Sequence, residues 1–435
     1  MAASEAHRAV DAVWRIESAR LIAGLARMVR DVGLAEELAQ DALVAALEQW
    51  PESGVPRNPG AWLMTIGKRR AIDYLRRQER LGRKLEEIGR LQESQPGAAA
   101  GAAVQGNGDN GDGDGDLGDD LLSLVFTACH PVLSTEARVA LTLRLLGGLK
   151  TEEIARAFLV PESTVAQRIV RAKRALADAR VPFEVPRGEE LATRLPSVLE
   201  VIYLIFNEGY SATAGEDWMR PALCEDALRL GRVLAGLMPT EPEVHGLVAL
   251  MEIQASRSRA RVGPAGEPVL LLDQDRARWD QLLIRRGLAA LGRSEALAGR
   301  PGPYALQAAI AACHARARTA AETDWTRIAA LYAALAQATP SPVVELNRAV
   351  ALAMAFGPAT GLELVDQLTG EPSLRAYHLL PSVRGDLLAK LGRLEEAHQE
   401  FERAAALTNN GRERTLLLTR AAECARTPGS RGAAE

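Results

Sequence analysis

Aromatic side chains are scarce in this 435-residue chain, at 4% of positions. Sheets draw on aromatic and β-branched residues, so the scarcity argues against an all-β fold. The abundance of Ala and Leu points instead to an all-α fold of closely packed helices. Cysteine is almost as rare. Cys129, Cys224, Cys313 and Cys424 are widely scattered, and no two share a metal-ligand spacing. That argues against a zinc knuckle and reads as reduced core thiols of a cytosolic protein. The six histidines, His7, His130, His245, His314, His378 and His398, fall in no metal or nucleophile motif. No catalytic residue, metal or cofactor is therefore expected. No apolar stretch reaches the ~18 residues a membrane span needs. The longest, Val198 to Phe206, reads as a buried helix, and the first ten residues lack the pattern of a signal peptide. A cytoplasmic protein with no membrane partner is the expectation.

A large net charge is also missing: the total is −4. Taken alone, that argues against nucleic-acid binding. The average hides a segregation. Residues 1–92 are net +2, residues 93–120 net −7, residues 121–182 net +4 and the remainder net −3. Two basic modules thus flank an acidic strip. The strip, ESQPGAAAGAAVQGNGDNGDGDGDLGDD, has almost no large apolar side chains to offset its ordering entropy and reads as a flexible linker. Asp109, Asp112, Asp114 and Asp116 lack the distal Glu and flanking helical register of a calcium loop.

In the first module apolar residues recur at helical spacing over Val10–Val29 and again over Leu34–Trp50. Glu36, Glu37, Gln40 and Asp41 are expected on the exposed face of the second run. Pro51 to Pro56 breaks the helix. Asn58 suits an N-cap and Pro59 the first helical position of a third helix. Trp62, Leu63, Ile66, Ile72 and Leu75 form its apolar stripe. The opposite face carries eight Lys/Arg between Lys68 and Lys84 against Asp73 and Glu79. Such a density is either a phosphate-contacting footprint or a solvated basic face.

The second module, residues 121–182, reads as a helix-turn-helix. Ser134 or Thr135 caps the first helix and Gly147-Gly148 ends it. A short helix starts at Thr151, with Glu152 and Glu153 in its first turn. After Pro161, Ser163 caps a longer basic helix. Val165, Ile169 and Ala172 face inward. Thr164, Gln167, Arg168, Arg171, Lys173 and Arg174 are left outside, where Arg and Gln suit base edges and the cations suit phosphates.

Together these modules resemble the extracytoplasmic-function (ECF, group IV) sigma factors, bacterial initiation subunits of RNA polymerase. LAEELAQDALVAALEQW and AWLMTIGKRRAIDYLRRQER resemble their sigma-2 domain. LSTEARVALTLRLLGGLKTEEIARAFLVPESTVAQRIVRAKRAL resembles sigma-4. The resemblance covers about 180 residues. It implies that Glu37, Leu38, Gln40 and Asp41 bind the β′ clamp helices of core RNA polymerase, with the β flap as a further contact. It implies that Arg57, Asn58, Trp62, Lys68, Arg69, Arg70, Arg76 and Arg77 open and hold the −10 element, a base leaving the stack at a cost of a few kcal/mol. The helix after Ser163 would read the −35 element of promoter DNA as duplex. Arg69 stands where the family often has asparagine, and Leu159 where a turn glycine is usual, which leaves base preference open.

Residues 183–300 read as further helices, interrupted near Gly263–Gly266 by a hairpin or loop. Asn207-Glu208-Gly209-Tyr210 and Asp273-Gln274-Asp275-Arg276 concentrate polar groups, as a ligand site or as caps and ion pairs. Residues 301–435 show self-similarity. Leu346–Leu368 aligns with Leu387–Leu407 at a shift of 35, placing Gly357 on Gly392, with small residues at tetratricopeptide spacing. This layout resembles the ECF subgroup with a tetratricopeptide-like extension and implies a fused regulator. The extension would take a protein or peptide on its concave face or contact the sigma modules. A polymerase-independent helix-turn-helix regulator with a protein-interaction domain is the alternative; an enzyme or a pure scaffold is the third.

Overall fold

Helices form where apolar spacing and caps coincide. The computed structural model describes residues 2–92, 114–158, 160–211, 219–264 and 267–425. Its regular elements there are all helical, and an isolated antiparallel bridge, Val262 to Pro268, lies in the expected hairpin region. Among the described residues no helix is long and apolar enough to cross a membrane. The chain divides into two compact units, Met1–Val201 and Ile202–Glu435.

The first unit opens with α1 (Ala2–Val29), α2 (Val32–Ser53) and α3 (Pro59–Gln92). Asp31 caps α2, accepting from Leu34 N at 2.9 Å. The expected break at Pro51 comes later. Pro51 sits in the last turn, and the helix ends at Gly54, whose φ of +79° suits glycine. Asn58 caps α3 as expected, its Oδ1 accepting from Ala61 N at 3.0 Å. Leu21, Ile22, Leu25, Trp50 and Leu63 fill the core of the three helices. The apolar stripe of α3 ends sooner than its periodicity suggests. Ile72 and Leu75 are exposed, because from Ile72 to Lys84 the helix has no buried residue and outruns its partners.

Next come α4 (Asp114–Ala128), α5 (Thr135–Leu145), α6 (Thr151–Phe158), α7 (Glu162–Asp178) and α8 (Gly188–Tyr210). Helix α4 begins inside the stretch read as linker, so that reading fails from Asp114 to Asp120. Residues 93–113 lie outside the described part, with Asp109 and Asp112 among them. Asp120 is buried and pairs with Arg27 at 3.4 Å. Burial raises its carboxyl above the ordinary range, and Arg27 counters only part of that. Ser134 caps α5, accepting from Ala137 N. Ser163 does not cap α7. The helix starts one residue earlier, with the Pro161 carbonyl accepting from Thr164 N at 2.9 Å. Leu159 lies outside the described residues.

The first half of α8 braces the helix-turn-helix. Arg194 Nη2 donates to Phe126 O at 2.8 Å, and Ser197 Oγ donates to Cys129 O at 2.8 Å. Arg138 bonds Ser197 and pairs with Glu200 at 3.2 Å.

The second unit continues with α9 (Pro221–Leu237), α10 (Pro242–Ala255), α11 (Gln281–Leu297) and α12 (Pro303–Arg316). Then follow α13 (Trp325–Ala338), α14 (Pro342–Phe356), α15 (Pro358–Leu368), α16 (Leu379–Lys390), α17 (Leu394–Leu407) and α18 (Gly411–Ala425). From α12 on, each helix packs on the next in sequence, with Ala349, Ala353, Ala397, Ala404 and Phe401 in one core. Gly357 joins α14 to α15 with φ +104°, and Gly392 precedes α17 with φ +77°. The two glycines aligned by the 35-residue shift therefore both hold a positive φ between consecutive helices. A Cβ at Gly392 meets no atom within 4 Å, so only backbone strain opposes it. Gly392→Ala is expected to cost about 1–2 kcal/mol, read as a lower urea midpoint at unchanged slope.

Candidate nucleic-acid interface

Two basic surfaces stand on the first unit. On α3 and the loop before it, Arg57, Asn58, Lys68, Arg69, Arg76 and Arg77 are exposed, and Trp62 and Arg70 are half-buried. The N-cap at Asn58 fixes where α3 begins and so where Trp62 lies. Trp62 packs edge-on against the buried Trp50, ring centroids 5.4 Å apart. Arg70 Nη1 pairs with Asp41 at 2.7 Å. Arg69, Arg76 and Arg77 make no ion pair among the described residues.

The second surface lies on α7. Val165, Ile169, Ala172 and Leu176 bury one stripe, which turns the rest of the helix outward. Gln167, Arg171 and Arg174 are exposed, and Thr164 and Arg168 half-buried. Among the described residues Arg174 is engaged only by Asp178 at 3.6 Å, an exposed pair worth little. Three outward basic groups on one helix suit an anionic polymer far better than a buried partner.

The comparisons with known proteins divide along the same lines. Residues 16–81 match the Sigma-70 region 2 family, and residues 123–176 match Sigma-70, region 4. Residues 194–295 match a family of unknown function, DUF6596. An uncharacterized protein of Rhizobium meliloti (strain 1021) is 43% identical over 398 residues, 90% of each chain. The "Probable ECF RNA polymerase sigma factor SigI" of Mycobacterium tuberculosis is 26% identical over 194 residues, 43% of this chain and 61% of that protein. The "ECF RNA polymerase sigma factor SigK" of Mycobacterium ulcerans is 30% identical over 156 residues, 35% of this chain and 75% of that protein. The chain belongs to the ECF sigma factors. It carries a long helical C-terminal extension beyond the two sigma domains.

Within this sigma factor the residues expected to bind core polymerase have divided fates. Glu37 and Asp41 are exposed on α2 and Gln40 is half-buried. Leu38 is 6% exposed and packs into the bundle, so it anchors α2 rather than facing a partner. The larger departure is Glu36. Expected on the exposed face, it is 2% exposed. Its Oε1 accepts from Arg144 Nε of α5 at 2.6 Å and from Gln40 Nε2 at 2.7 Å, while Lys173 of α7 pairs with Oε2. One carboxylate thereby ties the helix-turn-helix to α2, and Lys173, expected free for the −35 element, is spent on it. Local periodicity gives no warning of this. Glu36 lies beside three polar neighbours on α2, and its cationic partners are more than a hundred residues away.

Proposed function

We infer that this sigma factor binds core RNA polymerase through α2 and reads two promoter elements, the −10 through α3 and the −35 through α7. The extension after Val201 acts as a fused regulator in place of a separate one. The observation that carries the reading is the pair of exposed basic helices, one in each sigma region. Each is fixed by its own buried stripe and has few internal partners. On α3 the cations run along a helix whose first turn holds Trp62, where an unstacked base can find an aromatic face. On α7 the side chains at the N-terminal half, Thr164, Gln167, Arg168 and Arg171, reach base edges in a major groove, and Arg174 takes a phosphate. The regulatory role rests on the layout alone: a sigma factor needs only its two domains, and the second unit has a core of its own.

Run-off transcription with purified core polymerase tests the first part. Specific initiation should appear only when the chain is added, and the chain should co-purify with core. No specific initiation and no co-purification would leave a polymerase-independent DNA-binding regulator. For the regulatory part, a chain ending at Val201 keeps the α8 contacts to Phe126 and Cys129. It should initiate at a rate different from the full chain. Equal rates in cells and in the purified system would remove the regulatory role.

A further inference from the structure

The second unit gathers several arginines around two aromatic rings. Arg257, two residues past the end of α10, is 8% exposed. Its guanidinium lies 5.8 Å from the ring centroids of both Tyr210 and Trp279. Among the described residues no carboxylate or carbonyl accepts a hydrogen bond from its side chain, and its Nε is buried without a partner. Arg276 lies 5.0 Å from the same Trp279 ring. Its two terminal nitrogens donate to His314 O, Ala317 O and Thr323 Oγ1, at 2.6, 2.7 and 3.0 Å, and its Nε is left over. Arg261 stacks on Tyr210 at 3.6 Å.

Two more polar atoms of the cluster are buried without partners: Trp279 Nε1 and His314 Nδ1. Burial, with Arg257 and Arg276 nearby, drives the His314 imidazole down to about 3, so it stays neutral and adds no charge. Burial also lowers Arg257 from its ordinary value, with Arg261 adding to the effect. A buried unpaired cation costs several kcal/mol, and buried donors are almost always satisfied. Several of them around one indole amount to a missing acceptor.

A way in exists. A cavity of about 560 Å³ is lined by Ser258, Arg259, Val262, Arg278, Trp279 and Asp280, among others. It meets the cluster at Trp279. Arg259 and Arg278 keep its electrostatic sign positive. Asp280 offsets one of these charges, and its carboxylate caps α11, accepting from Leu282 N and Leu283 N, which leaves the lining net positive.

We propose that this is a binding site for a small anionic molecule, whose carboxylate or phosphate group is the missing partner of Arg257 and the Trp279 indole N–H. A guanidinium takes either oxyanion in a bidentate manner, and the flanking Tyr210 and Trp279 rings favour a ligand with a flat or apolar remainder. Such a ligand would bind the folded extension and not the unfolded chain, which makes it an effector for the second unit. Binding here does not depend on promoter recognition.

The test uses the full chain. Inorganic phosphate and benzoate are titrated separately at ionic strength held constant with chloride, reading the melting temperature and tryptophan fluorescence. At least one should raise Tm along a saturating curve, since stabilisation grows with the logarithm of [L]/Kd above saturation. Phosphate alone, benzoate alone, or both identifies the oxyanion. Arg257→Met should lose the response while melting in chloride no lower than the parent, because it removes an uncompensated charge. Arg257→Lys keeps the charge but not the fork, and should weaken binding by about 10-fold or more. The proposal fails if neither anion gives a saturable response beyond chloride, or if Arg257→Lys binds as tightly as the parent.

Discussion

Glu36→Ala is expected to release α7 from α2 and to raise the affinity of the free protein for −35 duplex DNA by roughly an order of magnitude. The carboxylate is buried at 2% exposure between Arg144, Lys173 and Gln40. Truncating it leaves two cations facing each other across a dry contact. Breaking a fully buried pair costs about 3–5 kcal/mol. Here the two cations are about one-fifth exposed, so they recover part of that by moving into water. A net of about 1–2 kcal/mol against the closed arrangement is the expectation, and 1.4 kcal/mol is tenfold. The released Lys173 adds a phosphate contact. Fluorescence anisotropy reads the affinity and small-angle scattering the expansion. Glu37→Ala, one residue along and exposed, is the control and should change neither. Equal affinity and equal radius of gyration for Glu36→Ala and the parent would show that the pair does not hold the domains together.

Acid should act in the same direction. Burial pushes the Glu36 carboxyl up, but Lys173 and Arg144 pull it down further, and it ends below its ordinary value of 4.5. A carboxylate lowered in the folded state contributes its full stability above the unfolded value. That contribution is lost only as pH falls through the lower folded value. The contact is therefore constant through the neutral range. Protonation therefore does not open it near neutral pH. On the proposed reading, in which α2 takes polymerase and α7 takes the promoter, both would compete for these helices and couple opening to binding.

What the sequence made legible was local. Asn58, Ser134 and the glycines at 357 and 392 mark their helix ends, because a cap or a positive φ is decided within four residues. The buried stripe of α7 followed from spacing alone. What it hid was long-range. Glu36 looks like any acid in a polar quartet until Arg144 and Lys173 arrive from other helices. Helix α8 looks like the start of the extension, yet Arg194 and Ser197 bind carbonyls at Phe126 and Cys129. Ile72 and Leu75 keep helical period, but among the described residues α3 buries no side chain between Ile72 and Lys84. The arginines of the segment after α10 read as surface charge in a chain with 52 basic residues. Only the fold places Arg257 beside Trp279, away from water and from carboxylates.

The double replacement Arg168→Ala, Arg171→Ala carries the other large expected effect. Both side chains stand on α7 outside the buried stripe, so the thermal midpoint of the protein should hold. Each bidentate contact from arginine to a guanine edge is worth about 1–3 kcal/mol. Losing both costs about 2–6 kcal/mol, a drop of roughly 30-fold or more on a duplex selected from a random pool by the parent protein. On an unselected duplex the drop should be much smaller, since there only charge is lost. Arg76→Ala, Arg77→Ala on α3 should behave in the opposite way. On the proposed reading those cations face the phosphate backbone, so affinity for promoter DNA should fall by a similar factor on every sequence. The slope of log K against log salt should shrink by about 0.9 for each duplex phosphate that is no longer neutralised. If the α7 pair instead lowers affinity equally on selected and unselected duplexes, its arginines contact phosphates, and sequence reading passes to Thr164 and Gln167 at the helix N-terminus.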